Sequence, residues 1–268
     1  GDQRVANWQN QRAYYELFRT FLSGIAASRV RAWLPINEDA ERVLRQVLGD
    51  GGANVHVNRL GVDTLHFRQD AVRGAAWRQA HGIPADATLV IHAGKLEPRK
   101  ALGDLLAAFA RAFPDDEGSA TLAIVGEGEK DHLDALHRRA AALGVQDRVL
   151  FPGMQSHDSL PDLFNAADVG AWPGDPSITL IEAMGCGLPV VLADPPGRDY
   201  VAGCPGAVTV SKGDIGALAD ALVRQARTAA SERARIAAEC AGRLGWPAIA
   251  VEAVALYRQA IAPRALPA

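Results

Sequence analysis

Between Ala87 and Lys212, short runs of β-branched and apolar residues alternate with segments whose apolar positions recur every three or four residues. The runs Thr88–Ala93, Ala120–Val125, Arg148–Phe151, Asp168–Trp172, Leu188–Ala193 and Ala207–Val210 have the length and the bounding turns of strands. Between them, Leu102, Leu105, Leu106, Phe109 and Phe113, and then Leu133, Leu136, Ala140 and Leu143, each mark one apolar stripe of a helix. Nearly continuous apolar strands separated by amphipathic helices are built from parallel βαβ units, so the pattern predicts an α/β fold with a Rossmann-like, doubly wound parallel sheet. After Val210 the periodicity is helical. Ile215, Leu218, Leu222 and Ala226 form one stripe, Arg233 to Leu244 a second stretch, and Pro247 suits the first turn of a last helix through Ile261.

The region before Ala87 reads differently: a helix over Trp8–Ile25, a strand-like Ala32–Ile36, a helix over Glu38–Leu48, then Val55–Val57 leading to Gly61-Val62-Asp63. One strand with two helices cannot complete a sheet, so residues 1–58 are expected to be a partial, mostly helical piece, the tail of another α/β domain. The chain opens on Gly1 without Met and is expected to be a fragment or processed piece.

Composition adds exclusions. With 49% apolar and 22% charged residues among 268, the chain is an ordinary globular protein. A net charge of −3 gives no global attraction to nucleic acid, so an anionic ligand must be held by local groups. Cys186, Cys204 and Cys240 are odd in number and lack zinc-like spacing, which points to a reducing, cytoplasmic location. No run approaches the roughly 18 apolar residues of a membrane span.

In an open parallel sheet ligands bind at the carboxyl ends of the strands, so the chemistry is sought in the loops that follow them. After the first strand, "HAGKLEPRKA" pairs a glycine, Gly94, with Lys95 and Lys100 across a Pro98 turn; these are either two ammonium groups aimed at one polyanion or solvated surface lysines. After the second, "VGEGEK" holds Gly126 and Gly128, without the Gly-x-Gly-x-x-Gly of dinucleotide enzymes or the Gly-Lys-Ser/Thr of P-loops. After the third, Ser156 or Asp158 is the expected cap of a helix through Ala166, with Met154 beside the exposed backbone. After the fourth comes "PGDPSITLIEAMGCGLPVV", where Ser177 or Asp175 caps a helix and the N–H groups of Ile178 and Thr179 face an anion. Glu182, one turn in, either accepts hydrogen bonds from a diol such as ribose or complements the helix dipole. His132 and His137, five apart on a helix, do not share a face, and no metal site is expected.

Six strings, "NRLGVDTLHF", "HAGKLEPRKA", "IVGEGE", "VLFPGM", "LPDLFNAADV" and "LIEAMGCGLPVV", followed by "GWPAIAVEAVALY", stand in order between about Val55 and Tyr257. Together they resemble the carboxy-terminal half of GT-B glycosyltransferases of the retaining family-4 (group 1) type. The resemblance implies a donor-binding domain over residues 59–245. It implies an acceptor-side remnant over 1–58, and a helix over 246–268 that packs back toward that remnant. It implies transfer of a hexose-like unit, with retention, from a nucleoside diphosphate sugar to a carbohydrate or lipid-linked acceptor, with no cofactor or metal and no nucleic acid. Lys95 and Lys100 would hold the diphosphate, Glu182 the ribose, and Met154 and Gln155 the base. Gly94, Gly126, Ser177, Ile178 and Thr179 complete the donor set. The family's usual arginine is Lys95 here. The acid it often places eight residues before Glu182 is Gly174, with Asp175 the adjacent carboxylate. Alternatives on the same fold are a sugar-nucleotide epimerase or a glycogen- or sucrose-type synthase. A further alternative is a catalytically weak or inactive binding module working with a partner subunit. Whatever the activity, the Trp8–Ile25 stripe is expected to pack on a partner domain or else to lie peripherally on a membrane, and the last helix, without the missing domain, to self-associate.

Overall fold

A computed structural model of the protein describes residues 30–48, 54–114, 120–175, 177–194 and 203–261, with Glu16 and Val201. Its six strands, β1 (Thr88–Ala93), β2 (Ala120–Val125), β3 (Val149–Gly153), β4 (Val169–Trp172), β5 (Val190–Asp194) and β6 (Ala207–Ser211), form one parallel sheet in the order β3-β2-β1-β4-β5-β6. The helices are α1 (Glu38–Leu48), α2 (Ala71–Ala80), α3 (Leu102–Ala112), α4 (Lys130–Ala142), α5 (Leu160–Ala166), α6 (Thr179–Gly185), α7 (Ile215–Ala226), α8 (Ala230–Leu244) and α9 (Trp246–Ile261).

Because side chains alternate along a strand, β1 serves two cores. Leu89, Ile91 and Ala93 pack with Leu163 and Phe164 of α5, Leu180 and Met184 of α6 and Ile236 of α8. Val90 faces Leu105 and Phe109 of α3, Leu136 of α4 and Leu218 and Leu222 of α7. Both faces being covered explains why these strands read as unbroken apolar runs. The expected doubly wound α/β architecture is the one observed.

The chain divides into two compact units. The larger comprises residues 61–195 and 200–246 and holds the whole sheet; the smaller comprises 1–60, 196–199 and 247–268. In the smaller unit, Arg59 pairs with Glu38 of α1 at 2.9 Å, and Arg31 donates to the Ile261 carbonyl of α9 at 3.4 Å.

Several elements differ from expectation. Ala32–Ile36 is no strand: Trp33 bridges Val55 alone, and Pro35, which lacks an N–H, cannot extend the ladder. The expected helix Trp8–Ile25 lies outside the described residues apart from Glu16. α2 was not foreseen, because Gly74 interrupts its weak apolar pattern. It forms through tertiary contacts. Asp70 caps it by accepting from the N–H groups of Val72 and Arg73, each at 3.1 Å. Gly74 then allows α2 to meet α5 so closely that a Cβ would stand 2.4 Å from the Asn165 carbonyl oxygen. Arg78 of α2 fastens this side, donating to the carbonyls of Ala166 (2.7 Å), Pro84 (3.0 Å) and Ala87 (2.7 Å) and to the Asp168 carboxylate (2.7 Å).

Candidate functional site

The strand order reverses between β1 and β4, and the crevice at the carboxyl ends beside such a reversal is where open parallel sheets bind ligands. The loops at that edge are laced together by backbone bonds: Gly94 N–H to Val125 O (3.0 Å), Leu96 N–H to Glu127 O (2.7 Å), Gly126 N–H to Gly153 O (3.0 Å) and Asp175 N–H to Arg99 O (2.9 Å). Two glycines make the closeness possible. A Cβ on Gly126, whose φ is +143°, would stand 1.8 Å from the Gly94 carbonyl oxygen. A Cβ on Gly174 would stand 2.3 Å from the Arg99 carbonyl oxygen and from the Lys100 carbonyl carbon, so no acid fits at this position with the loops where they are.

The carbonyl of Ala93, at the end of β1, accepts from the indole N–H of Trp172 (3.1 Å) and the hydroxyl of Thr179 (2.6 Å), and the Ser177 hydroxyl, bonded to that of Thr179 at 2.5 Å, lies 3.3 Å from the same carbonyl. This corrects the expected capping of α6. The residue at its cap is Ile178, which makes no side-chain cap, because the Ser177 hydroxyl is turned inward to Ala93 and the Asp175 carboxylate reaches Arg99 at 3.4 Å. Among the described residues no acceptor takes the backbone N–H of Ile178 or Thr179. The caps expected beyond β3 are absent too. Ser156 bonds the Ser159 hydroxyl at 3.1 Å, and Asp158 caps nothing; Pro161 in the first turn of α5 reduces the need, having no N–H to satisfy.

The two lysines part company. Lys100 ends a 3₁₀ turn, Pro98–Lys100, and only 3% of it is exposed; its ammonium donates to the Asp175 carbonyl at 2.9 Å. Ala101, in the left-handed conformation at φ 54°, turns the chain directly into α3. Lys95 is exposed and pairs with Glu97 at 3.0 Å. Arg99 also pairs with Glu97, and the two cations, Arg99 first, hold that exposed carboxyl below its usual range. Deeper in β1, His92 is fully buried and donates through Nδ1 to the Ala171 carbonyl at 2.8 Å. Burial above all, with the charge of Lys100 adding, lowers its pKa to about 4, so the ring is neutral and Nε2 carries a lone pair with no partner among the described residues.

Glu182 on α6 is 5% exposed. Its Oε1 accepts from His157 Nε2 at 3.0 Å, whereas Oε2 is buried without a hydrogen-bond partner among the described residues. Leaving a buried carboxylate oxygen unmatched costs about 1–3 kcal/mol, which a ligand hydroxyl would recover. Beyond β3, Met154 is exposed and Gln155 donates back to the Pro152 carbonyl at 3.0 Å. Sequence reasoning did not foresee that His157 stands behind Glu182. Nor did it foresee that His66, His157 and Asp158 bring ligand atoms within 4.8 Å of one another, since residues 91 apart carry no local pattern. His137 instead packs on Phe151, with ring centroids 4.2 Å apart. The Cys186 thiol, pushed up to about 12 by burial, is a packing group as expected.

A family model described as "Glycosyl transferases group 1" matches residues 87–227. D-inositol 3-phosphate glycosyltransferases of Mycobacterium tuberculosis and Mycobacterium bovis are 34% identical over 246 residues, covering 85% of this chain and 48% of theirs. The chain thus spans about half the length of the curated relatives it matches. Among solved structures, the Anabaena protein HepE in complex with UDP superposes with a TM-score of 0.77 at 22% identity, over 88% of this chain and 66% of that one. Sucrose-phosphate synthase from Thermosynechococcus elongatus gives 0.69 at 26%, over 84% and 57%. With the sheet order and the strand-end motifs, these matches establish that the chain belongs to the group 1 glycosyl transferases of GT-B fold.

Proposed function

We propose that this chain is the donor-binding half of a glycosyltransferase that takes a hexose-like unit from a nucleoside diphosphate sugar. The observation that carries the reading is the buried Glu182 carboxylate. One oxygen is fixed by His157 and the other faces no donor among the described residues, beside the chain reversal where this fold receives ligands. In this reading Oε2 accepts from a ribose diol. Lys100 and the outward Lys95 balance the diphosphate as it departs, standing where a metal would otherwise stand, so no metal is expected for transfer. Met154 and Gln155 flank the base, and Gly94 and Gly126 keep the loops low enough for the ligand to approach. Family membership and the UDP bound to HepE support a nucleotide-sugar donor. Retention of anomeric configuration and a carbohydrate or lipid-linked acceptor follow from the resemblance. We assign residues 59–245 to donor binding and 1–58 to the acceptor side.

A second reading, a binding module with little transfer activity, draws on Gly174. The position of the family's sugar-side acid abuts the Arg99–Lys100 backbone, and the nearest carboxylate, Asp175, is engaged with Arg99. Calorimetric titration with UDP-, GDP- and ADP-sugars tests the first step common to both readings. One of them should bind, and Glu182→Gln should weaken it by about tenfold or more, since a diol then faces an amide instead of a charged acceptor. Saturable binding that Glu182→Gln and Lys100→Ala leave unchanged would overturn the assigned site. Transfer assays with the donor that binds separate the two readings.

A further inference from the structure

Outside the lysine loops, one cluster of side chains is unaccounted for by donor binding. His66 follows the turn at Asp63, and His157 and Asp158 open the 3₁₀ turn that leads into α5. One ring nitrogen from each histidine and one carboxylate oxygen lie within 4.8 Å of one another. The two imidazoles stack with centroids 5.6 Å apart at 20°, and Phe67 lies edge-on to both, 4.9 and 5.0 Å away, which limits the rings' freedom to turn.

The decisive feature lies behind the cluster. An ionised carboxylate only accepts, so the 3.0 Å contact with Glu182 places the His157 proton on Nε2 and leaves Nδ1 with its lone pair. A carboxylate holding the distal N–H of an imidazole is the outer partner found behind metal-ligating histidines: it selects the tautomer, orients the ring and raises the basicity of the donor nitrogen. The Asp158 carboxylate has no hydrogen bond or ion pair among the described residues. Arg73 bonds the Asp158 backbone carbonyl at 3.1 Å while its charge is matched by Asp162. His66 holds the His157 carbonyl by a long 3.3 Å contact through Nε2, weak enough to be given up or to leave Nδ1 as the ligand atom.

We propose that His66, His157 and Asp158 form a binding site for a divalent transition metal of the zinc class, with Glu182 as the outer carboxylate that positions His157. Two imidazoles and a carboxylate suit zinc, with water in the remaining position, and select against magnesium and calcium, which take oxygen ligands. Tetrahedral bonds of about 2.1 Å set ligand atoms about 3.4 Å apart, so the present spread of up to 4.8 Å closes by rotation of the exposed Asp158 side chain and a small shift of the partly exposed His66, with His157 held by Glu182. The site lies beside the donor crevice and is not a centre for group transfer. It stands on its own geometry: metal alone is the probe, and failure of nucleotide binding would leave it untouched.

The test titrates tag-free protein with Co2+, read by visible absorption, and with Zn2+, read by calorimetry. One equivalent should bind, with intense d–d bands reporting low coordination. His66→Gln and Asp158→Asn, both at the surface, should each lower affinity at least tenfold while the far-ultraviolet spectrum is unchanged. Glu182→Gln should lower it about tenfold without touching the metal, the range for outer partners. Absence of saturable binding, or binding that these three variants leave unaltered, would overturn the proposal.

Discussion

Acid should weaken this protein through one buried ring. His92 sits on β1 beneath the Lys100 loop, wholly out of water, and its pKa falls from the ordinary 6.5 to about 4. The unfolded chain therefore binds a proton that the folded chain refuses between those values. The stability that His92 permits is complete above 6.5, and it is lost as pH falls toward about 4. At about 1.4 kcal/mol per pH unit, the whole interval is worth about 3 kcal/mol, and at about pH 4.5 roughly 2.5 kcal/mol of it is gone. Two observations support so large an effect: Nδ1 already donates to Ala171 O at 2.8 Å, and the site that would take the proton, Nε2, has no acceptor among the described residues to receive its N–H. Urea unfolding followed by tryptophan fluorescence at about pH 7.5 and 4.5 measures the loss. His92→Asn, which cannot ionise, should lose about 2.5 kcal/mol less than the parent over the same interval, whatever its stability at neutral pH. Equal losses in parent and variant would refute the argument, because carboxylates elsewhere titrate alike in both.

Three further outcomes follow from particular contacts. Gly126→Ala places a Cβ against the Gly94 carbonyl and should cost about 2 kcal/mol or more in urea unfolding, with weaker nucleotide binding by calorimetry as the Gly94 loop is displaced. Ala101→Gly relieves a left-handed alanine and should raise stability by about 0.5–1 kcal/mol, read as a melting temperature about 1–3 °C higher. Arg78→Ala removes four hydrogen bonds and leaves the partly exposed Asp168 carboxylate with the Leu89 N–H, and should cost about 2 kcal/mol by thermal or urea unfolding.

The sheet was legible because burial on both faces writes itself into composition: Thr88–Ala93 and Ala120–Val125 could be bounded to the residue. Ends set by turns were not. The strand expected at Arg148–Phe151 runs Val149–Gly153, and that expected at Leu188–Ala193 runs Val190–Asp194, since a 3₁₀ turn at Gln146–Arg148 and the Pro189 backbone decide where pairing starts. α2 was invisible because its cause lies in Asn165, more than 90 residues away. At the candidate site, motifs gave the loops but not the orientation within them. A lysine in a string reads the same whether buried like Lys100 or exposed like Lys95, and only the fold distinguishes them. The pairing of His157 with Glu182 and the approach of His66 arise from the meeting of three separate segments. Hydroxyls near a helix start were read as caps, yet Ser177 found a carbonyl across the sheet edge instead.

That carbonyl has an effect on charge at the strand edge. A backbone oxygen has two lone pairs, and those on Ala93 are met by the Trp172 N–H and the Thr179 hydroxyl, which the Ser177 hydroxyl backs in turn at 2.5 Å. At the middle of the sheet's carboxyl edge, where other strands end in outward-pointing negative dipole, β1 ends in an oxygen already quenched by its own neighbours. An incoming polyanion therefore meets less electrostatic repulsion from the end of this strand beside the reversal than from a bare carbonyl. The protein has discharged that edge in advance, using one indole and two hydroxyls rather than an additional cation.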